Sequence, residues 1–127
     1  MSAITRKERF VMHQHHTINY LEIPCRELEA SKAFFARVFG WTFTDYGADY
    51  TCFIGAGIDG GFFRSPLGFG SDRGCPLVVL YSADLNASLN AVKDAGGRIL
   101  EPVFAFPGGR RFHFADPSDN EYAVWSE

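Results

Sequence analysis

His13, His15 and His16 form an H-x-H-H cluster of the kind that can hold a metal. The cluster precedes the first strand-like run and has no carboxylate partner near it in sequence, so the plainer expectation is a flexible arm over residues 1–16. His113 sits differently. It lies in the run Arg111-Phe112-His113-Phe114-Ala115, where alternate residues share one face of a strand. With Phe112 and Phe114 turned to a helix layer, Arg111 and His113 share the opposite face, where an imidazole can give or take a proton. Alternation also groups Glu22 with Ile18 and Tyr20, away from Leu21 and Ile23. On an open face that carboxylate can act as base or hydrogen-bond anchor, or pair with Arg98 or Arg111. Trp125 offers a flat surface for stacking.

Two other motifs are refused by their context. Gly55-Ala56-Gly57-Ile58-Asp59-Gly60 spells G-x-G-x-x-G, but a dinucleotide site needs a helix next, to present its N-terminus to the phosphates. The chain continues instead with Gly61-Phe62-Phe63-Arg64-Ser65-Pro66, strand-like and then broken by proline, so a glycine-rich hairpin is expected. Asp116-Pro117-Ser118-Asp119-Asn120 is a turn and not a calcium loop, since no glycine or downstream glutamate stands at the required spacing. Cys25, Cys52 and Cys75 are odd in number and widely spaced, which fits reduced thiols and neither a disulfide framework nor a zinc knuckle.

The elements that must position these residues come in duplicate. Leu28-Glu29-Ala30-Ser31 returns as Leu85-Asn86-Ala87-Ser88, and the same offset aligns Glu27 with Asp84 and Gly40 with Gly97. An extended apolar run precedes each copy, Ile18 to Ile23 and Leu77 to Tyr81. A helical stripe comes after each, through Leu28, Phe35, Val38 and Phe39 and through Leu85, Leu89 and Val92. Asp84 is a good helix start, and Gly40 and Gly96-Gly97 are good stops. Three β-rich runs then complete each half: Trp41–Tyr46, Tyr50–Ile54 and Ile58–Arg64, then Arg98–Glu101, Arg111–Ala115 and Glu121–Ser126. The expected fold is α+β, with two tandem βαβββ modules forming curved mixed sheets around a cleft. Module 1 covers about residues 17–64, a glycine-rich connector 65–74, and module 2 about 75–127, together one domain.

Composition bounds the function. At 127 residues, 46% hydrophobic and 21% charged, the chain is globular. Twelve basic against fifteen acidic side chains, a net charge of −3, argue against a nucleic-acid binder. No apolar run is long enough to span a bilayer, and Arg6, Lys7 and Arg9 are not followed by a signal-peptide core, so a cytoplasmic protein with no membrane partner is expected. Thirteen phenylalanines exceed what a small core commonly needs, and they could fill that core or line a cavity.

The sequence resembles the vicinal oxygen chelate superfamily, which includes glyoxalase I, the extradiol dioxygenases and the bleomycin and fosfomycin resistance proteins. The resemblance runs from about Thr17 to Glu127 and rests on residues 23–35 (IPCRELEASKAFF), Val38-Phe39-Gly40-Trp41, Asp94-Ala95-Gly96-Gly97, and Phe114-Ala115-Asp116-Pro117 with Asn120. It is strongest for the glyoxalase-related branch. It implies a divalent metal on four side chains, one from each of strands one, four, five and eight. Those positions fall here on Tyr20, within Gly60–Phe62, on Leu77 and on Ala123. Leucine, alanine, glycine and phenylalanine have no donor atom, and one phenol does not make a site, so no metal and no other cofactor is expected. The same alignment implies a cleft lined by Tyr20, Glu22, Phe62, Leu77, Arg111, His113 and Trp125, with Glu22 and His113 as candidate catalytic groups. The expected function is metal-free binding of a small organic molecule in an aromatic cleft by a homodimer. The alternative is an enzyme of lyase, isomerase or dioxygenase type related to lactoylglutathione lyase.

Overall fold

The repeated Leu-x-Ala-Ser segments open the two α-helices found among the described residues, and glycine follows the apolar stripe of each. In the computed structural model, which describes residues 13–127, the order is β1 (Tyr20–Cys25), α1 (Leu28–Phe39), β2 (Thr42–Asp45), β3 (Tyr50–Ile54) and β4 (Asp59–Arg64), then a short 3-10 turn (Ser71–Arg73), β5 (Val78–Tyr81), α2 (Leu85–Asp94), β6 (Arg98–Phe106), β7 (Gly109–Ala115) and β8 (Glu121–Ser126). Most of the expected arm over 1–16 lies outside the described residues. Gly40 ends α1 in the left-handed conformation at φ 75°, where its N–H donates to the Ala36 carbonyl. Asp84 caps α2 by accepting the Ala87 N–H at 3.1 Å.

The duplication read in sequence is a duplication of topology. One sheet has the order β1-β4-β3-β2 and the other β5-β8-β7-β6. In each, the first strand runs parallel to the last and the remaining pairs are antiparallel. Gly55-Ala56-Gly57 turns the antiparallel β3 into β4, so the G-x-G-x-x-G stretch is a hairpin. β6 is longer than the expected Arg98–Glu101. Two register shifts, between Ile99 and Glu101 and between Glu101 and Phe104, carry it past Pro102. A bulge leaves residues unpaired, so a proline that lacks a donor does not end the strand.

Both helix-bearing sheet faces share one core. Ile23, Phe53 and Phe62 of the first sheet and Phe112, Phe114, Tyr122 and Val124 of the second meet Phe34 and Phe35 of α1 and Leu85 and Val92 of α2. Phe35 is fully buried, with its ring 5.6 Å from Phe62, 5.0 Å from Tyr122 and 4.7 Å from Trp41. Phe34 reaches the second sheet at Phe114, 5.7 Å away. The buried side of α1 thus reaches both sheets, while Glu29, Ala33 and Arg37 on its other side are exposed. The two sheets stay separate, with no strand of one paired to a strand of the other. Phe62 corrects the sequence expectation. It is 1% exposed, opposite Ile23 in register, and packed on Phe35, Phe43 and Phe53, so it is a core residue and lines no cleft.

The Asp116–Asn120 turn joins the modules. Asp116 accepts the backbone N–H groups of Ser118 (3.0 Å) and Asn120 (2.9 Å), and its other oxygen accepts the Ser31 hydroxyl at 3.0 Å. Ser118 Oγ accepts the Glu27 N–H at 2.9 Å, which caps α1 from the other half of the chain. Asn120 donates to the Pro24 carbonyl at 2.8 Å and accepts the Phe69 N–H at 2.9 Å. Burial pushes the Asp116 carboxyl up to about 6 despite these donors, and the same burial raises the Cys25 thiol.

Candidate functional site

Polar side chains gather on the helix-free face of each sheet. On the first, Tyr20 and Glu22 alternate with the inward Leu21 and Ile23 of β1, and Tyr50 and Cys52 alternate with the buried Thr51 and Phe53 of β3. Tyr50 spans the strand between them. Its ring lies over Gly61, where a Cβ would stand 2.5 Å from the Tyr50 hydroxyl and 2.6 Å from the Thr51 carbonyl. Tyr50 donates to Glu22 Oε2 at 3.0 Å and is hydrogen-bonded to the Tyr20 hydroxyl, which also meets Cys52 Sγ at 3.4 Å. Burial raises both phenols. The carboxylate beside Tyr50 raises it further, because ionisation would remove the donor that Glu22 accepts from. Both phenols thus remain donors at neutral pH. Glu22 is held by Tyr50, whereas Arg98 binds Asp119 at 2.9 Å and Arg111 lies on aromatic rings.

On the second sheet, Arg111 and His113 alternate with the buried Phe112 and Phe114, and Glu121, Ala123 and Trp125 alternate with Tyr122 and Val124. His113 Nδ1 and Glu121 Oε2 are 2.7 Å apart. The other carboxylate oxygen accepts the Ser71 N–H at 2.6 Å and its hydroxyl at 2.8 Å. Burial pushes Glu121 up, but the bonds from His113 and Ser71 outweigh it and hold the carboxyl below its usual value. The Arg111 guanidinium lies 5.2 Å from the Phe104 ring centre and 5.5 Å from Phe106. Trp125 stands edge-on to Tyr81 at 5.2 Å and to Phe106 at 6.2 Å. A cavity of about 330 Å³ opens beside Glu121, between the 3-10 turn, Glu101 and Ala115.

The structure therefore brings Tyr20 together with Glu22, and Arg111, His113 and Trp125 together with one another, on two different faces. Leu77 immediately precedes β5, and its neighbours Val79 and Tyr81 are exposed. Tyr50, Cys52 and Glu121 escaped sequence reasoning although strand alternation could have found them. Phe104 and Phe106 could not be found that way, because Pro102 signalled a strand end before them.

The donor set does not fit the divalent metal that the resemblance implies. Leu77 and Ala123 carry no donor, and a side chain at Gly61 would collide with Tyr50. Among the described residues, no three His, Cys, Asp or Glu side chains converge on a point that could hold an ion. His13, His15 and His16 lie ahead of β1, with the rings of His15 and His16 stacked at 3.7 Å. No helix among the described residues is long and apolar enough to cross a membrane.

Comparison with known proteins agrees with this architecture. The model of the Glyoxalase/Bleomycin resistance protein/Dioxygenase superfamily matches residues 17–124. Over 125 residues the chain is 35% identical to the anthracycline biosynthesis protein DauV of Streptomyces sp. (strain C5) and 34% identical to DnrV of Streptomyces peucetius. Each match covers 84% of this chain and 45% of the relative, so the chain spans about half the length of these proteins. Among solved structures, a glyoxalase-related enzyme from Fulvimarina pelagi superposes with a TM-score of 0.74 at 17% identity, covering 89% of both chains. The fosfomycin resistance protein FosX from Listeria monocytogenes gives 0.73 at 12% identity, covering 90% of this chain and 95% of its own.

Proposed function

The chain belongs to the glyoxalase/bleomycin resistance protein/dioxygenase superfamily, and from that premise we propose that it is a cytoplasmic protein that binds a flat organic molecule without the family's metal. The observation that carries this reading is the helix-free face of the second sheet. Tyr81 and Phe106 there stand against Trp125, and Phe104 and Phe106 against Arg111, on the two strands β7 and β8 that also bring Ala123, the position to which the family resemblance assigns a metal-binding carboxylate, opposite His113. Aromatic side chains with one fixed cation suit a planar, electron-rich ring system. The naming of DauV and DnrV as anthracycline biosynthesis proteins supports a fused polycyclic ligand.

The protein works as a homodimer in this reading. Tyr20 on the first sheet is 44% exposed, and Val79 and Tyr81 on the second are 43% and 54% exposed, apolar surface that a second copy would cover. A second copy laid against it brings the Tyr20–Glu22–Tyr50 cluster of one chain toward the His113–Trp125 cluster of the other. Light scattering at micromolar concentration should give twice the chain mass; a monomer would remove the dimer from the proposal.

Trp125 reports on the ligand, because the second tryptophan, Trp41, is buried in the core. Titration with a tetracyclic anthraquinone should quench tryptophan emission equally with EDTA and with added zinc, nickel or manganese. Trp125→Ala should abolish most of the quenching and weaken binding by about 1–3 kcal/mol, the range for lost aromatic stacking and burial. Binding that appears only with added metal overturns the proposal. The His113–Glu121 pair favours a second reading, acid–base catalysis of lyase or isomerase type. Turnover of a bound ligand, lost in His113→Gln, would select it.

A further inference from the structure

The aromatic face of the second sheet carries two buried polar atoms with no partner, His113 Nε2 and Arg111 Nε. A folded chain rarely leaves such atoms unbonded, and where it does a ligand is one explanation to test. His113 is more than nine-tenths buried, and its environment settles which nitrogen is free. With Glu121 Oε2 accepting from it, Nδ1 carries a proton, and the tautomer this fixes presents Nε2 as the acceptor. Ser71 occupies the second oxygen of Glu121 twice, which fixes the carboxylate against His113. The bulged stretch of β6 sets Glu101 across from His113 and Phe104 across from Arg111, which lays the Phe104 ring 5.8 Å from the imidazole. A carboxylate-held imidazole, a cation and four aromatic rings thus share one face.

Resting on the binding function proposed above, we propose that this face is selective for a planar hydroxyaryl ligand whose acidic O–H donates to His113 Nε2 while a neighbouring ligand oxygen accepts from Arg111. The ligand ring takes the place of Phe104 against the imidazole. Glu121 is a positioning residue, which acts by fixing the tautomer of His113. For a sufficiently acidic hydroxyl the proton passes over: the ligand O–H bond breaks, an Nε2–H bond forms, and the phenolate is left beside Arg111 with the imidazolium beside Glu121. No further reactant is required. A hydroxyl that cannot donate, as in a methyl ether, leaves Nε2 unpartnered and loses the preference.

The test uses the full chain with alizarin, a dihydroxyanthraquinone that changes colour on ionisation, and with its dimethyl ether. Affinity is read from tryptophan quenching and ionisation from the visible spectrum. Wild type should bind alizarin about tenfold or more tightly than the ether, with the absorption of the bound dye shifted to the red. His113→Phe should bind the two equally and show no shift. His113→Gln, whose amide can still donate to Glu121 but takes up no proton, should show no red shift and serves if the first variant fails to fold. Glu121→Gln should diminish the red shift together with the preference for alizarin over the ether, a result that a merely structural role would not give. Equal binding of dye and ether by wild type, or a red shift that survives both His113 substitutions, overturns this inference and leaves small-molecule binding intact. Failure of wild type to bind either compound overturns both.

Discussion

Replacing Asp116 by asparagine should change how stability depends on pH more than it changes the fold. The Asp116 side chain is 4% exposed and clamps the turn of the second module to Ser31 of α1. Asparagine keeps one carbonyl oxygen for the N–H groups of Ser118 and Asn120, and its amide can donate to Ser31 Oγ. The carboxyl titrates at about 6 in the folded chain against an ordinary value of 3.8, chiefly because burial penalises its charged form. Between these values the folded state holds a proton that the unfolded chain has released. The stabilisation from this raised value is therefore fully present below 3.8 and is lost as pH climbs through about 6. A shift of roughly two pH units corresponds to ~3 kcal/mol at ~1.4 kcal/mol per unit. Urea unfolding followed by Trp41 emission, at several values between pH 4 and 7, gives a stability curve for each protein. The wild-type curve minus the Asp116→Asn curve isolates this group from the other carboxylates. That difference should fall by roughly 2.5 kcal/mol from pH 4 to pH 7, since the unfolded carboxyl is already partly ionised at pH 4. A flat difference, or one that rises with pH, would show that the buried carboxyl is ionised at no cost and refute the reasoning.

Phe62→Ala should cost ~3–5 kcal/mol in urea unfolding, because the ring is buried against Phe35 and Phe53; a loss under 1 kcal/mol would return it to the surface. Gly61→Ala should destabilise by ~1–3 kcal/mol, since its Cβ meets the Tyr50 ring and the Thr51 carbonyl, and a wild-type urea midpoint would count against that packing.

Much of the fold is legible in the sequence alone. The two Leu-x-Ala-Ser helices, the glycine stops and the β-rich runs depend on neighbours a few residues apart, so a local pattern suffices to read them. Strand alternation likewise separates Arg111 and His113 from Phe112 and Phe114, because successive side chains of a strand must point to opposite faces. The absence of a donor at Leu77 and Ala123 is a matter of residue identity and needs no structure. Phe62 could not be read this way. The first sheet's face there depends on the register that sets Ile23 opposite Phe62, and register is settled by pairing between distant segments.

Tertiary structure alone decided how the halves meet. Residues of α1 that look like one apolar stripe in sequence serve two sheets, since Phe35 touches both Phe62 and Tyr122. Tyr20 and Glu22 belong to one sheet and His113 and Trp125 to the other, a separation within one chain that no local pattern reveals. The partners of the polar groups were also out of reach: Tyr50 for Glu22, Glu121 and Ser71 for His113, Phe104 and Phe106 for Arg111. Sequence determined which side chains this protein can use, because chemistry resides in residue types and their local spacing. Which of them share a face was left to the packing of α1 and the bulges of β6, because both join segments that are far apart in the chain.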